Sequence, residues 1–204
     1  MTVILSFLET EKLTCIRGGR VVFRNLSFAL KAGQTLAVEG ANGSGKTSLL
    51  RMLAGFLSAE TGRIRVNGAE SDAEERGKFV GWLGHHDGAK PQLTPRETLT
   101  FFAGLHGAAG DVEAALAAVG LARAAGLPCQ YLSAGQKRRL ALARLKICAR
   151  PLWLLDEPLA ALDAQGKALL RAMIAAHCAS GGIAIAATHE ELGVDCTRLS
   201  LGAA

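Results

Sequence analysis

Thr35-Leu36-Ala37-Val38-Glu39, then Gly40-Ala41-Asn42-Gly43-Ser44-Gly45-Lys46-Thr47, then an apolar-periodic stretch to Phe56, is the part of the sequence that decides the fold. A short apolar run, a glycine-rich octet and a helical pattern, in that order, read as strand, loop and helix. The octet fits G-x-x-x-x-G-K-[ST]. Its glycines let the backbone turn tightly enough to aim successive N–H groups inward, and the start of the following helix adds partial positive charge at the same point. Such a cradle suits the phosphates of a nucleotide. Gly40, Ala41, Asn42, Gly43, Ser44 and Gly45 are expected to line it, Lys46 to reach the β- and γ-phosphates, and the Thr47 hydroxyl to ligate Mg²⁺. The alternative is a glycine-rich turn with a solvent-facing lysine. The flanking strand and helix argue against it.

Downstream, Leu152-Trp153-Leu154-Leu155-Asp156-Glu157 is an apolar run that ends in two acids. Carboxylates at the end of a buried strand are costly unless a cation or hydrogen bonds compensate them. The reading that fits the phosphate loop has Asp156 supporting Mg²⁺ through its water shell. Glu157 then polarises the water that attacks the γ-phosphate. A pair of surface acids at a loop entry is the plainer alternative.

Between and around these motifs the elements alternate. Arg20–Leu30 reads as a half-buried strand, Gly62–Gly68 as a strand closed by the hairpin signal Asn67-Gly68, and Lys78–Leu83 as another strand. Thr94-Pro95-Arg96-Glu97 carries an N-cap, a proline at the first helical position and an acidic first turn. A second helix starts at Asp111, so Gly84–Leu132 reads as a helical insertion. Ser133–Ala149 and Ala164–Ala179 read as helices, and Ile183–Ala187 as a buried strand. Short apolar strands alternating with helices predict an α/β domain with a mostly parallel core sheet and ligands at the strands' C-terminal ends.

Composition excludes more than it selects. Half of the 204 residues are hydrophobic and the mean hydropathy is +0.24. Even so, no apolar run approaches the roughly 18–20 residues that span a bilayer. No basic leader with a cleavage site opens the chain, so no signal peptide is expected. Five scattered cysteines without a CxxC pair argue against a disulfide framework or zinc site. The net charge of +5 is gathered most densely at Lys137, Arg138, Arg139, Arg144, Lys146 and Arg150. At helical spacing these wrap around the helix without interleaved aromatics, which reads as a solvated face and not as a nucleic-acid surface.

Leu132-Ser133-Ala134-Gly135-Gln136, followed by that basic helix, resembles the LSGGQ-like signature of the ATP-binding cassette family. Ala161-Leu162-Asp163 resembles the family's D-loop and Thr188-His189 its switch histidine. The resemblance runs from about Leu13 to Leu192. It implies a single P-loop NTPase domain of ABC type over residues 1–204, with an antiparallel β edge and a helical subdomain over about 86–135 that carries the signature. It further implies ATP as substrate with Mg²⁺, and a homodimer in which Ser133, Gly135 and Gln136 of one subunit close on the nucleotide of the other. Asp163 would contact the partner subunit, and His189 the γ-phosphate. Two positions depart from the pattern. His85-His86 stands where the family has a glutamine, with His86 aligned to it, and a metal or haem ligand pair is the other reading of these two. Arg17 stands where an aromatic residue usually stacks on adenine.

WLGHHDGAKPQLTPRETLTFF, LSAGQKRRLALARL and PLWLLDEPLAALD look like the ATP-binding subunits of the haem exporter of cytochrome c biogenesis. That resemblance implies a peripheral protein on the cytoplasmic face of the bacterial inner membrane. It would pair with integral membrane subunits, and ATP hydrolysis would drive haem movement or release of a haem chaperone. An ATP-binding subunit for another cargo, such as lipoproteins or small solutes, is the nearest alternative. A soluble ABC ATPase acting on nucleic acid or the ribosome is more distant, because such proteins usually carry two cassettes or a long insertion. If the imidazole of His86 stands in for the usual amide, His86→Gln retains ATP hydrolysis in a steady-state assay. Complete loss assigns the histidine a role that glutamine cannot fill.

Overall fold

In the computed structural model, which describes residues 4–84, 88–107 and 110–202, the chain opens on a long antiparallel hairpin of β1 (Phe7–Arg17) and β2 (Arg20–Lys31). Strand β3 (Thr35–Glu39) leaves it for a second sheet and leads through the glycine loop into helix α1 (Lys46–Leu53). Strand β4 (Thr61–Val66) returns to pair with β1, and β5 (Ala69–Glu70) folds back on β4. Asn67 and Gly68 make that turn with φ of 53° and 84°. This is the left-handed pair that a two-residue hairpin needs. The antiparallel sheet has the order β2-β1-β4-β5.

No strand is predicted ahead of Arg20, and the structure corrects this with β1. The reason is a bulge. Leu8 and Thr10 are buried, but the next buried residues are Leu13 and Cys15, so the alternation slips phase midway. Lys12, at φ 49°, sits between the two phases, and the register shifts there against both neighbouring strands. An inserted residue of this kind defeats a period-two reading.

The rest of the chain builds the second sheet and its helical cover. In order come α2 (Ala73–Gly77), β6 (Val80–Leu83), α3 (Pro95–Leu105), α4 (Val112–Ala118), α5 (Ala134–Cys148), β7 (Leu152–Asp156), α6 (Ala164–Ala179), β8 (Ile183–Ala187) and β9 (Thr197–Ser200). Strands β6-β7-β8-β3-β9 lie side by side and all run parallel. The N-cap read at Thr94 holds, and two further helices are capped in the same way. Thr94 and Glu97 form a reciprocal capping box behind Pro95, Asp111 caps α4, and Ser133 with Gln136 caps α5.

Every residue of β7 and β8 is buried, as expected for parallel strands covered on both faces. Successive side chains serve different cores. Leu152, Leu154, Ile183 and Ile185 join α1 and the antiparallel sheet, whereas Trp153, Leu155, Ala184 and Ala186 join α3, α4, α5 and α6. The sheet is therefore the wall between two hydrophobic cores.

At the sheet's trailing end His177 stacks on Trp153, with ring centroids 4.0 Å apart and planes within 7°. Burial pushes its imidazole below the ordinary histidine value, against the raising effect of hydrogen bonds to the carbonyls of Ile183 and Pro151. A histidine whose folded pKa is depressed leaves the native state with fewer bound protons than the unfolded chain. Stability from this source is then lost as pH falls below the unfolded value of about 6.5. Denaturant titrations between about pH 7.5 and 5.5 are expected to show falling stability, and His177→Gln a lower but flatter profile. An unchanged slope removes His177 as a source of the pH dependence.

Candidate functional site

The register of the parallel sheet sets the site. Val38 of β3 pairs with Ala187 of β8, and Ala187 pairs with Asp156 of β7. The residues that follow are thereby brought to one edge: Gly40 and the phosphate loop after β3, Glu157 after β7, Thr188 and His189 after β8. Backbone bonds carry the alignment one step beyond the strands, from Glu157 N–H to the Ala187 carbonyl at 2.9 Å and from Thr188 N–H to the Val38 carbonyl at 3.1 Å.

Within the loop, glycine is required at Gly45. Its φ is 102°, and a Cβ there would lie 2.4 Å from Val22 Cγ1 and 2.9 Å from Phe23 Cδ1. The loop is thus pressed against β2. Lys46 is buried, and its ammonium donates to the carbonyls of Gly40 at 2.8 Å and Ala41 at 3.2 Å and lies 3.0 Å from His189 Nε2. The same His189 nitrogen lies 3.3 Å from Glu157 Oε1. It can serve one neighbour at a time: with its lone pair it accepts from Lys46, and protonated it donates to Glu157. Thr47 Oγ1 donates to both carboxylate oxygens of Asp156, at 3.0 and 3.1 Å.

Ser44 Oγ is buried and has no hydrogen-bond partner among the described residues. A buried hydroxyl left unsatisfied costs about 1–3 kcal/mol, so it marks a place where an acceptor belongs. A phosphate oxygen is such an acceptor. The paired hydroxyl and carboxylate of Thr47 and Asp156 are hard oxygen donors of the kind Mg²⁺ takes alongside substrate phosphates. No larger group of His, Cys, Asp and Glu suited to hold a metal ion occurs among the described residues.

Of the residues read from sequence, Lys46, Thr47, Asp156, Glu157 and His189 therefore meet around the loop that Gly40 to Gly45 form, with Ala41, Asn42 and Gly43 exposed. Ser133, Gly135, Gln136 and Asp163 form a second group. Ser133 Oγ accepts from Gln136 N–H at 3.2 Å, and Gln136 Oε1 accepts from Ser133 N–H at 2.9 Å. A Cβ on Gly135 would stand 3.2 Å from the Ala161 carbonyl, so α5 begins close against the turn that leads to Asp163. Asp163 caps α6 through Gly166 N–H at 2.7 Å and binds Arg139 Nη2 at 2.8 Å. Those two partners, Gly166 first, hold its carboxyl below the ordinary aspartate value. Arg17 is exposed at the end of β1. His85 and His86 lie outside the described residues.

The solvated-face reading of the basic helix is wrong. Of its six cations only Lys146 is exposed, and Arg138 is 3% exposed. Arg138 donates to the backbone carbonyls of Gly84, Asp156 and Glu157. Arg144 lies over the Phe102 ring and donates to the Trp82 carbonyl. Guanidinium groups find these acceptors because α5 runs beneath the ends of β6 and β7, whose carbonyls face it. The available signal was helical phase, since Arg138 stands one and two turns ahead of Leu142 and Leu145 on the buried face.

A sequence profile described as ABC transporter matches residues 23–160. The chain is similar to the cytochrome c biogenesis ATP-binding export protein CcmA of Rhodopseudomonas palustris (strain HaA2), with 48% identity covering 97% of this chain and 98% of that protein. The protein of the same name from Pseudomonas savastanoi pv. phaseolicola (strain 1448A / Race 6) is 47% identical over 91% of this chain and 89% of its own length. Among solved structures, a putative ABC transporter ATP-binding protein from Pyrococcus furiosus superposes with a TM-score of 0.84 at 23% identity, covering 96% of this chain and 98% of that one. That likeness concerns the fold.

Because Ser44 Oγ has no partner among the described residues, Ser44→Ala is expected to stabilise the nucleotide-free chain by about 1 kcal/mol and to weaken ATP binding by roughly 3- to 10-fold. Denaturant unfolding and titration with a fluorescent ATP analogue measure the two effects. Lower stability together with unchanged affinity contradicts the assignment.

Proposed function

Since the chain belongs to the ATP-binding proteins of ABC transporters, and within them to the family of cytochrome c biogenesis ATP-binding export proteins, we propose that it is the ATP-hydrolysing subunit of a haem exporter, or haem-chaperone release complex, that serves cytochrome c maturation. The observation that carries the ATPase reading is the group at the strand ends. One imidazole, His189, has the buried Lys46 ammonium at 3.0 Å and the Glu157 carboxylate at 3.3 Å, beside a phosphate loop whose Ser44 hydroxyl has no partner among the described residues.

Each residue then has a distinct task. The loop amides, the Ser44 hydroxyl and Lys46 hold the β- and γ-phosphates, with Lys46 exchanging protein acceptors for phosphate oxygens. Thr47 and, through water, Asp156 would hold the Mg²⁺ that accompanies ATP, which would supply charge neutralisation at the phosphates. Glu157 orients and polarises the attacking water. His189 is freed from Lys46 when the lysine turns to phosphate, and it then contacts the γ-phosphate. Ser133, Gly135, Gln136 and Asp163 serve the nucleotide of a second subunit in a homodimer. Their place at the start of α5, a helix N-terminus able to receive an anion, supports that arrangement.

Association with integral membrane subunits at the cytoplasmic face of the inner membrane completes the proposal. No helix among the described residues is long and apolar enough to cross a membrane. An apolar cleft of about 290 Å³, lined in part by Phe56, Trp82, Phe102 and His106, opens beside β6, among the segment after α1, α3 and α5. Phe56, Phe101 and Leu105 remain exposed on the surface. Such a patch suits a protein partner.

Glu157→Gln separates binding from chemistry. It is expected to bind ATP with near wild-type affinity, to hydrolyse it about 10²- to 10⁴-fold more slowly, and to form an ATP-dependent dimer in size-exclusion chromatography. In cells lacking the wild-type chain, the same variant should fail to restore haem-stained c-type cytochromes. Wild-type hydrolysis removes Glu157 as the base. Normal cytochrome c in cells without the chain removes the proposed cargo while leaving the ATPase intact.

A further inference from the structure

Helix α5 and the acid pair at the end of β7 belong to different parts of the fold, and the Arg138 side chain joins them. Arg138 lies in the second turn of α5, buried on the face that also carries Leu142 and Leu145. Its Nη1 donates to the carbonyl of Gly84 at 2.7 Å. Its Nη2 donates to the carbonyl of Asp156 at 3.1 Å and to that of Glu157 at 2.6 Å. Gly84 directly follows β6, and Asp156 is the last residue of β7. The guanidinium thus reaches the ends of two adjacent strands at once.

The backbone it holds is unusual. Glu157 has φ 46°, in the left-handed region, although it carries a full side chain. A non-glycine residue remains there only where its surroundings fix it. Arg138 binds the carbonyls on both sides of the Glu157 α-carbon, and the Glu157 N–H is bound by the Ala187 carbonyl. The backbone geometry decides where the carboxylate points, and it points to within 3.3 Å of His189 Nε2.

Resting on the ATPase reading above, we propose that Arg138 is a positioning residue for hydrolysis: it locks Glu157 in its left-handed backbone and makes that geometry depend on the placement of α5. The helix that begins at Ser133 is then mechanically joined to the base of the site in its own subunit. A rotation of α5 relative to the sheet moves the donor away from all of its strand-end carbonyls together. A planar fork with several N–H groups can span carbonyls on two strands, which a lysine ammonium cannot reproduce.

The test uses the full-length chain, comparing Arg138→Met, Arg138→Lys and, as a control, Arg150→Met. Arg150 is a half-buried arginine just past the other end of α5, bonded to the Lys78 carbonyl and beside His106. Affinity for a fluorescent ATP analogue, kcat and KM for ATP, and the thermal midpoint are measured for each. Arg138→Met should bind nucleotide within about threefold of wild type while kcat falls about tenfold or more, with Arg138→Lys in between and Arg150→Met retaining wild-type kcat. A kcat within about twofold of wild type for Arg138→Met overturns the proposal, as does a parallel fall of kcat and affinity that tracks the thermal midpoint. If Arg138→Met does not fold, Arg138→Lys decides by the same criteria. A wild-type chain that neither binds nor hydrolyses ATP would instead remove the ATPase reading itself.

Discussion

The parallel hydrogen-bond register that sets Val38, Ala187 and Asp156 abreast is the constraint on which the site depends. A slip of one residue in either pairing would turn every side chain of a strand to the opposite core. Leu154 would leave the α1 side and Trp153 the α5 side. The two hydrophobic cores fix the register from both faces, and the register brings the loop, the acids and the histidine to one edge. Packing and chemistry are coupled through that one alignment.

Polar groups buried at this edge are compensated locally. Lys46 has two carbonyls and an imidazole, Asp156 has the Thr47 hydroxyl, and Arg138 has strand-end carbonyls. A buried charge without such partners would be strongly destabilising. The antiparallel sheet contributes by contact and not by chemistry. Val22 and Phe23 press on Gly45 and so limit how far the loop can open.

Much of this was legible in the sequence because local chemistry and tertiary packing agree. The octet at 40–47, the N-cap at Thr94, the Asn67-Gly68 turn and the apolar runs at 152–155 and 183–187 each specify their own geometry. Strand β1 was hidden by the bulge at Lys12, which broke its alternation. Strand β9, with mostly exposed residues, is held by pairing with β3 and offers no periodic signal. The role of Arg138 was hidden for another reason. A cation on a basic helix ordinarily faces water, and only the carbonyls of distant strand ends reverse that preference.

The saturation of Lys46 has a consequence for what the loop will hold. Its ammonium is not a vacant charge awaiting any anion, because Gly40, Ala41 and His189 already occupy it. Binding there is an exchange of partners, so affinity is a difference between two satisfied states. A small anion that replaces only one acceptor gains little from that exchange. A chain of phosphates that also meets the loop amides and the Ser44 hydroxyl gains at every point. A loop arranged in this way favours a ligand with many points of contact over a simple anion.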